Sequence, residues 1–448
     1  MSTIAVVGGG IAGLTAAHRL SAEHDVVVFE REATAGGKIR SQKIDGFLFE
    51  WGPSGFLSSA DELQTLIGEL GLRDALTPAR PAAKKRFIYW NGTLHQLPAK
   101  PPDVFAMSLL SPLGKLRAFG EPFVGKRPDA DAADDESVYR FMERRFGREV
   151  AERIVSPALL GISGGDAATT SLAAIFPRLR DMENEYGSII RGMMRGRRKT
   201  SHLYSFADGG MQTLTDRLAE RLGTRLRSGT TVQRLERHEA GWRIVHDGGE
   251  SVVDGVIIAT PADVAAGLVE GFDAELARRL RDIPYAPMRA VGAAFRTEDV
   301  PAPLDGFGFL AARGRGVRVL GALYTSTIMP EHAPEGTVYL RSFLGGAGDP
   351  EVATLDAEAA KTIVLADLAT ILGITAAPVA YHEVVWPKAI PQYQLRHRST
   401  VAAIEELSAA YLGFALAGNA YRGLGVGDNV RDALAVAARI DTVLAKSG

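Results

Sequence analysis

A chain of 448 residues is long enough for about two to four domains and a large buried core. Its 51 Lys and Arg against 53 Asp and Glu leave a net charge of −2, which excludes nucleic-acid binding driven by overall charge. There is no cysteine, so disulfides, thiolate nucleophiles, Fe–S clusters and Cys zinc sites are excluded, and redox chemistry requires a bound cofactor.

Ile4 to Val7 reads as a short apolar strand, Gly8 to Gly13 as a glycine turn, Ile11 to Leu20 as a helix and Asp25 to Glu30 as a second strand. This is a βαβ opening. It begins without a basic leader or a small-residue cleavage site, which predicts a cytoplasmic protein. Residues 61–72 repeat Leu and Ile at helical spacing behind acids that suit a helix N-terminus. Ala83 to Pro98 alternates around Asn91-Gly92, a strong hairpin signal. That alternation would point Lys84 and Arg86 to one face and Lys85 to the other.

From Pro101 to about Ser201 the chain becomes helical pieces punctuated by Pro and Gly, including Ser137 to Leu160. Strand signals return at Leu226 to Arg237, Gly241 to Asp247 and Val252 to Thr260, an antiparallel excursion ending on a buried strand. Strand and helix signals alternate again between Ala290 and Glu383. A last apolar strand, Leu412 to Ala417, leads through Gly418 to Gly427 into a helix from about Asn429. The nearest approach to a membrane span, Val256 to Val269, contains Pro261 and Asp263.

Gly8, Gly10 and Gly13 fit G-x-G-x-x-G between strand and helix, and Glu30 follows Gly10 by twenty positions at the end of the next strand. Gly8 permits the tight turn, Gly10 lets a pyrophosphate approach the backbone, and Gly13 lets helix and strand pack. The helix N-terminus offers N–H groups to phosphate, and Glu30 offers acceptors to ribose hydroxyls while disfavouring a 2′-phosphate. No second such motif occurs, so no pyridine-nucleotide domain is expected and the organic substrate is the reductant.

After Glu30 the chain runs Arg31-Glu32-Ala33-Thr34-Ala35-Gly36-Gly37-Lys38-Ile39-Arg40-Ser41, which resembles the FAD-dependent amine oxidase and protoporphyrinogen oxidase superfamily. Gly36-Gly37 permits close backbone approach, and Lys38 or Arg40 supplies a cation for pyrophosphate. Ala417 to Val430, carrying Gly423, Gly425 and Gly427, is similar to the C-terminal flavin segment of that superfamily. A helix N-terminus there would stabilise an anionic reduced flavin. The resemblance implies an α/β amine-oxidase-like architecture: a Rossmann-like FAD-binding domain (1–83, 203–264 and 410–448), a mixed-sheet substrate domain (84–100 and 265–409) and a helical insert (101–202) facing a membrane. It implies noncovalent FAD held by Gly8, Gly10, Ile11, Ala12, Gly13, Glu30, Arg31, Gly37, Lys38, Gly52, Pro53, Val232, Trp386, Gly418, Asn419, Gly425, Val426 and Gly427.

The middle of the chain narrows the resemblance to protoporphyrinogen oxidases, including the related bacterial coproporphyrinogen oxidases. It is carried by Lys85-Arg86-Phe87-Ile88-Tyr89, Phe146-Gly147-Arg148, Gly209-Gly210-Met211, Gly306-Phe307-Gly308-Phe309-Leu310, and Trp386-Pro387 with Ile390-Pro391-Gln392-Tyr393. What it implies is six-electron oxidation of protoporphyrinogen IX in haem biosynthesis, with oxygen as acceptor and three hydrogen peroxide formed. A meso-carbon hydride passes to flavin N5 and a pyrrole N–H loses its proton, with no side chain assigned to catalysis and no metal. Carried over by position, Arg86 pairs with a substrate propionate, and Phe307, Leu310, Leu323 and Phe343 wall the tetrapyrrole cavity. Glu50-Trp51-Gly52-Pro53-Ser54-Gly55 forms the family's loop between flavin and cavity, and Ser54-Gly55 departs from the polar amide some members carry.

The alternative substrate is coproporphyrinogen III, for which Lys84 or Arg341 would serve extra carboxylates. More distant alternatives on the same fold are an amine oxidase, a carotenoid-type desaturase or a non-catalytic flavin-binding scaffold. Cations among residues 191–199 suit anionic lipid or solvent, and the acids from Asp129 to Glu136 suit a turn and the helix start near Ser137. Val104, Phe105, Leu109, Leu110, Leu113, Leu116 and Phe119 suit either a bilayer surface or a core. Partners on this reading are a tetrapyrrole, oxygen, a membrane surface and a downstream haem-pathway enzyme, with no nucleic acid.

Overall fold

A computed structural model describes residues 1–98, 101–127, 135–195, 201–239 and 241–446. Five parallel strands form one sheet in the order Leu226–Ser228, Asp25–Glu30, Thr3–Val7, Gly255–Ile258 and Phe414–Leu416. Parallel strands buried on both faces read as apolar runs, as Ile4-Ala5-Val6-Val7 and Val256-Ile257-Ile258 do. Alternate side chains enter two cores. Ile4, Val6, Val26 and Val28 pack under the helices Ile11–Leu20, Gln212–Leu222 and Val426–Ala445. Ala5, Val7, Phe29, Val256 and Ile258 pack against the three-stranded meander spanning 232–253 and the helices Ala262–Val269 and Ala274–Arg281.

A second sheet has seven strands in the order Ala380–Pro391, Tyr285–Arg296, Thr337–Gly345, Gly321–Tyr324, Gly308–Ala311, Phe87–Trp90 and Thr93–Gln96. Gly308–Ala311 and Phe87–Trp90 pair in parallel, joining segments more than two hundred positions apart. The Asn91-Gly92 hairpin forms with both residues at positive φ, 50° and 82°, as a two-residue turn with right-handed twist requires. One face of the sheet, through Phe295, Phe309, Tyr324, Leu340 and Leu344, forms a core with the helix Ala357–Leu372.

The structure corrects several local expectations. Leu226 to Arg237 is two strands in different sheets, divided at Gly229, whose φ of 70° turns the chain. Ser137 to Leu160 breaks at Gly147 (φ 93°) and continues through a π-turn, Ala151–Val155, into Ser156–Ser163. Lys84 closes a 3₁₀ turn, Pro81–Lys84, and the strand starts only at Phe87, so alternation does not govern Lys84 to Arg86. Leu109 and Leu110 are core residues, whereas Phe105, Leu113 and Leu116 are 65%, 78% and 70% exposed. Ser137 does cap the helix Val138–Phe146, while Glu136 pairs with Arg144 at 3.0 Å instead. Asp129, Asp131 and Asp134 of the acidic run, and Arg197, Arg198 and Lys199 of the basic run, lie outside the described residues. Among the described residues no helix is long and apolar enough to cross a membrane.

Candidate cofactor and substrate site

The two N-terminal glycine motifs meet in space. The Gly36 N–H donates to the Gly9 carbonyl at 2.7 Å, and Gly10 and Gly36 form a parallel bridge. A Cβ on Gly13 would sit 1.9 Å from the Gly8 carbonyl oxygen, so the helix packs against the turn only with glycine there. A Cβ on Gly10 would meet nothing within 4 Å. That open space lies at the start of the helix Ile11–Leu20, where the N–H groups of Ile11, Ala12 and Gly13 have no partner within the helix. Glu30, buried at the end of its strand, accepts from the Gly9 N–H at 2.6 Å and the Glu32 N–H at 2.7 Å. Each oxygen keeps further acceptor capacity for a hydroxyl group.

The neighbouring residues converge on the same place. Thr230, two positions before Val232, donates its N–H to the Glu30 carbonyl at 2.8 Å. Arg31 is exposed and pairs with Glu32 at 3.1 Å. Lys38 bonds the Ala389 carbonyl, lies 5.5 Å from the centre of the Tyr285 ring, and has its pKa lowered to about 8 by burial. A Cβ on Gly52 would be 2.0 Å from the Lys38 carbonyl oxygen, so Gly52-Pro53 rests directly on the second glycine motif. Trp386 Nε1 donates to the Trp51 carbonyl at 3.0 Å. Two buried donors here, Trp51 Nε1 and Arg40 Nε, have no hydrogen-bond partner among the described residues.

At the C-terminal segment, Gly418 holds φ 119° while donating its N–H to Asp432 at 3.0 Å, and a Cβ on it would meet nothing within 4 Å. Tyr393 Oη donates to the Asn419 carbonyl at 2.8 Å and accepts from the Gly423 N–H at 2.6 Å. The helix starts at Val426 with Gly425 as its N-cap, so Gly427 lies in its first turn. The Asp428 carboxylate accepts from the Gly425 N–H at 3.2 Å, offsetting part of the positive end of the dipole. Open glycine cradles, free helix N–H groups and unpartnered buried donors fit a dinucleotide with a flat polar ring system.

Three of the residues carried over as cavity walls lie on the second face of the seven-stranded sheet. Directly opposed residues share a face, which aligns Leu310 with Gly321, Gly321 with Phe343, Leu323 with Gly308 and Arg341, and Phe343 with Ala290. Leu310, Leu323 and Phe343 are half-buried in strands whose other residues are mostly buried. Gly308 and Gly321 add no side chain to this face, which is apolar at Leu310, Leu323 and Phe343. The helix Ser156–Ser163 borders it at Leu310, where a Cβ on Gly161 would be 2.3 Å from the Leu310 side chain. Leu160, Met288, Phe343, Trp386 and Ile390 form one apolar cluster at the Trp51 side.

Phe307 precedes the Gly308–Ala311 strand, its N–H bonded to the Lys85 carbonyl at 2.7 Å. The exposed Arg86 guanidinium lies 5.2 Å from the centre of its ring, so this pair stands beside the floor while Leu310, Leu323 and Phe343 lie on it. Lys85 pairs with Asp305.

Two buried charges here carried no sequence signal for their roles. Glu50 accepts from Ser41 Oγ at 2.7 Å and the Met211 N–H at 2.8 Å, and burial raises its pKa to about 7. Arg341 is buried with both Nη groups bonded to Gly52 and Ser54, so it is not available as the carboxylate anchor considered from sequence.

A family model described as flavin containing amine oxidoreductase matches residues 11–441. The mitochondrial protoporphyrinogen oxidase of Nicotiana tabacum is 32% identical over 463 aligned positions, covering 95% of this chain and 92% of that protein. The coproporphyrinogen III oxidase of Bacillus subtilis is 29% identical, covering 95% of each. A crystal structure from Exiguobacterium sp. 255-15, carrying a provisional protoporphyrinogen oxidase name, superposes with a TM-score of 0.85 at 26% identity, covering 98% of this chain and 99% of that one.

Proposed function

This chain belongs to the flavin-containing amine oxidoreductase family, and from that premise we propose that it oxidises protoporphyrinogen IX, with molecular oxygen as acceptor. Its cofactor is FAD, the flavin that a G-x-G-x-x-G dinucleotide turn accommodates. The observation that carries the reading is the alignment of Leu310, Leu323 and Phe343, half-buried on one face of three adjacent strands. Apolar side chains left open in an otherwise buried sheet suit a large, flat, apolar macrocycle.

On this reading the chain divides into FAD-binding segments (1–83, 203–264 and 410–448), substrate segments (84–100 and 265–409) and a helical insert (101–202). The glycine turns, Glu30, Arg31, Lys38, Gly52, Pro53, Val232, Trp386 and the Gly418–Gly427 segment hold FAD. Leu310, Leu323 and Phe343 exclude water from the macrocycle, and Arg86, its guanidinium 5.2 Å from the centre of the Phe307 ring, meets a propionate at the rim. Bound FAD supplies two-electron acceptance, so a six-electron oxidation takes three rounds and yields three hydrogen peroxide. A single exposed arginine at the rim favours the two-propionate substrate. Lys84, exposed two positions away, favours coproporphyrinogen III as the second reading.

The exposed Phe105, Leu113, Leu116 and Phe123, with Lys115 and Lys126 close in sequence, support peripheral association of the insert with an anionic membrane surface. Co-sedimentation with anionic vesicles, lost on replacing Leu113 and Leu116 by Ser, checks it. Delivery of the porphyrin to the next enzyme of haem synthesis belongs to the same reading. Anaerobic mixing with protoporphyrinogen IX should bleach the yellow protein, and an unchanged spectrum with either porphyrinogen ends the proposal.

A further inference from the structure

Arg341 sits on the cavity face of the seven-stranded sheet, opposite Leu323 and two positions before Phe343, yet it is only 2% exposed. Its guanidinium is covered by the loop that carries Gly52 and Ser54. One Nη donates to the Gly52 carbonyl and the other to Ser54 Oγ, and the group lies 4.8 Å from the centre of the Phe343 ring. It therefore touches both the loop that rests on the second glycine motif and an aromatic side chain of the floor.

The rest of the loop is held at other points. The Trp51 N–H donates to the Arg40 carbonyl at 2.8 Å, and the Trp51 carbonyl accepts from Trp386. Phe56 and Leu57 pair with Tyr204 and Leu203. Between these anchors the loop is joined to the floor through Arg341. A buried cation costs desolvation energy, and replacing it by an apolar residue of similar volume is often neutral for stability, so stability alone does not account for it. Lysine would keep the charge but could not reproduce the planar two-pronged donation.

We propose that Arg341 is a positioning residue, clamping Gly52 and Ser54 to the cavity floor and stacking on Phe343, so that it sets the gap between the cofactor-side loop and the surface carrying the substrate. The proposal rests on the porphyrinogen oxidase reading. It gives Ser54 a role as the second acceptor of the clamp, where the sequence left its contribution open.

The test uses FAD-loaded wild type, Arg341→Met, Arg341→Lys, Ser54→Ala and the double variants. Arg341→Met should lower kcat by about 10–100-fold through misplacement of reacting groups. KM, and the Kd for the porphyrin product read from its Soret shift, should stay within about 3-fold, as expected when ground-state binding is untouched. FAD affinity should be unchanged. Ser54→Ala should lower kcat by about 2–5-fold in wild type and by nothing further in either Arg341 variant, because residues acting as one unit are non-additive. If Arg341→Met does not fold, the Ser54→Ala and Arg341→Lys cycle decides. A raised KM and weaker product binding at unchanged kcat, or a Ser54→Ala loss that is equal in all backgrounds, overturns the clamp. Wild-type turnover is the control: its absence with both porphyrinogens overturns the functional reading itself.

Discussion

The Tyr393 hydroxyl accepts the Gly423 N–H at 2.6 Å, tying the strand that ends at Pro391 to the C-terminal glycine segment. The same hydroxyl donates to the Asn419 carbonyl at 2.8 Å. Tyr393→Phe keeps the ring stacked on His397, 3.9 Å between centres, but strands a backbone donor and an acceptor in a partly buried place. The expected cost is about 1–3 kcal/mol of stability. The thermal midpoint of the FAD-loaded protein, and FAD retained after gel filtration, should both fall. Full retention with an unchanged midpoint would show that Tyr393 does not hold the segment.

The two oxygens of Glu30 fix the Gly9 and Glu32 N–H groups, and on the proposed reading they also accept from the FAD ribose. Glu30→Ala removes those bonds and the ribose acceptors together, and should weaken FAD binding by about 1–3 kcal/mol. Glu30→Gln keeps one acceptor oxygen and should fall between. Reconstitution of apoprotein followed by flavin fluorescence measures both. Equal affinity in Glu30→Ala and wild type would remove Glu30 from the cofactor site.

The opening βαβ unit was legible because its information is local: glycines, a strand and an acidic residue lie within thirty positions, and Ile11–Leu20 and Asp25–Glu30 form where the pattern places them. The Asn91-Gly92 hairpin was legible for the same reason. The cavity floor was not, because it depends on register between distant strands: Phe309 pairs with Phe87, and Leu323 lies opposite Arg341. Resemblance supplied Leu310, Leu323 and Phe343 as wall residues, but only the register puts them on one face. Arg341 was weighed as a partner for extra carboxylates, and nothing near it in sequence reveals that Gly52 and Ser54 cover it. Lys84 was misplaced because the 3₁₀ turn begun by Pro81 delays the strand to Phe87.

Arg86→Ala should separate substrate anchoring from flavin chemistry. Loss of one charge-assisted contact at an exposed rim should raise KM by about 3–30-fold with FAD content unchanged. A fall in kcat as well would mean that Arg86 also orients the macrocycle. Unchanged steady-state kinetics would make the stack on Phe307 a surface contact only.

Glu50 should leave a signature in the pH dependence of stability. Burial raises its carboxyl from 4.5 to about 7. Between those values the native protein keeps a proton that the unfolded chain has lost, so this group's contribution falls as pH rises from 4.5 to about 7. Glu50→Gln stays neutral throughout. Its unfolding free energy relative to wild type should therefore increase from pH 5 to pH 8 in urea titrations. A constant difference across that range would place the Glu50 carboxyl near its ordinary value.

The central claim is oxidation of protoporphyrinogen IX, and it is tested most directly by aerobic turnover of the purified FAD protein. Protoporphyrinogen IX and coproporphyrinogen III are supplied separately, and porphyrin fluorescence is followed together with hydrogen peroxide. The expected result is a higher kcat/KM for protoporphyrinogen IX, with three hydrogen peroxide formed per porphyrin. A clearly higher kcat/KM for coproporphyrinogen III would contradict the substrate assignment, and no porphyrin from either would contradict the function.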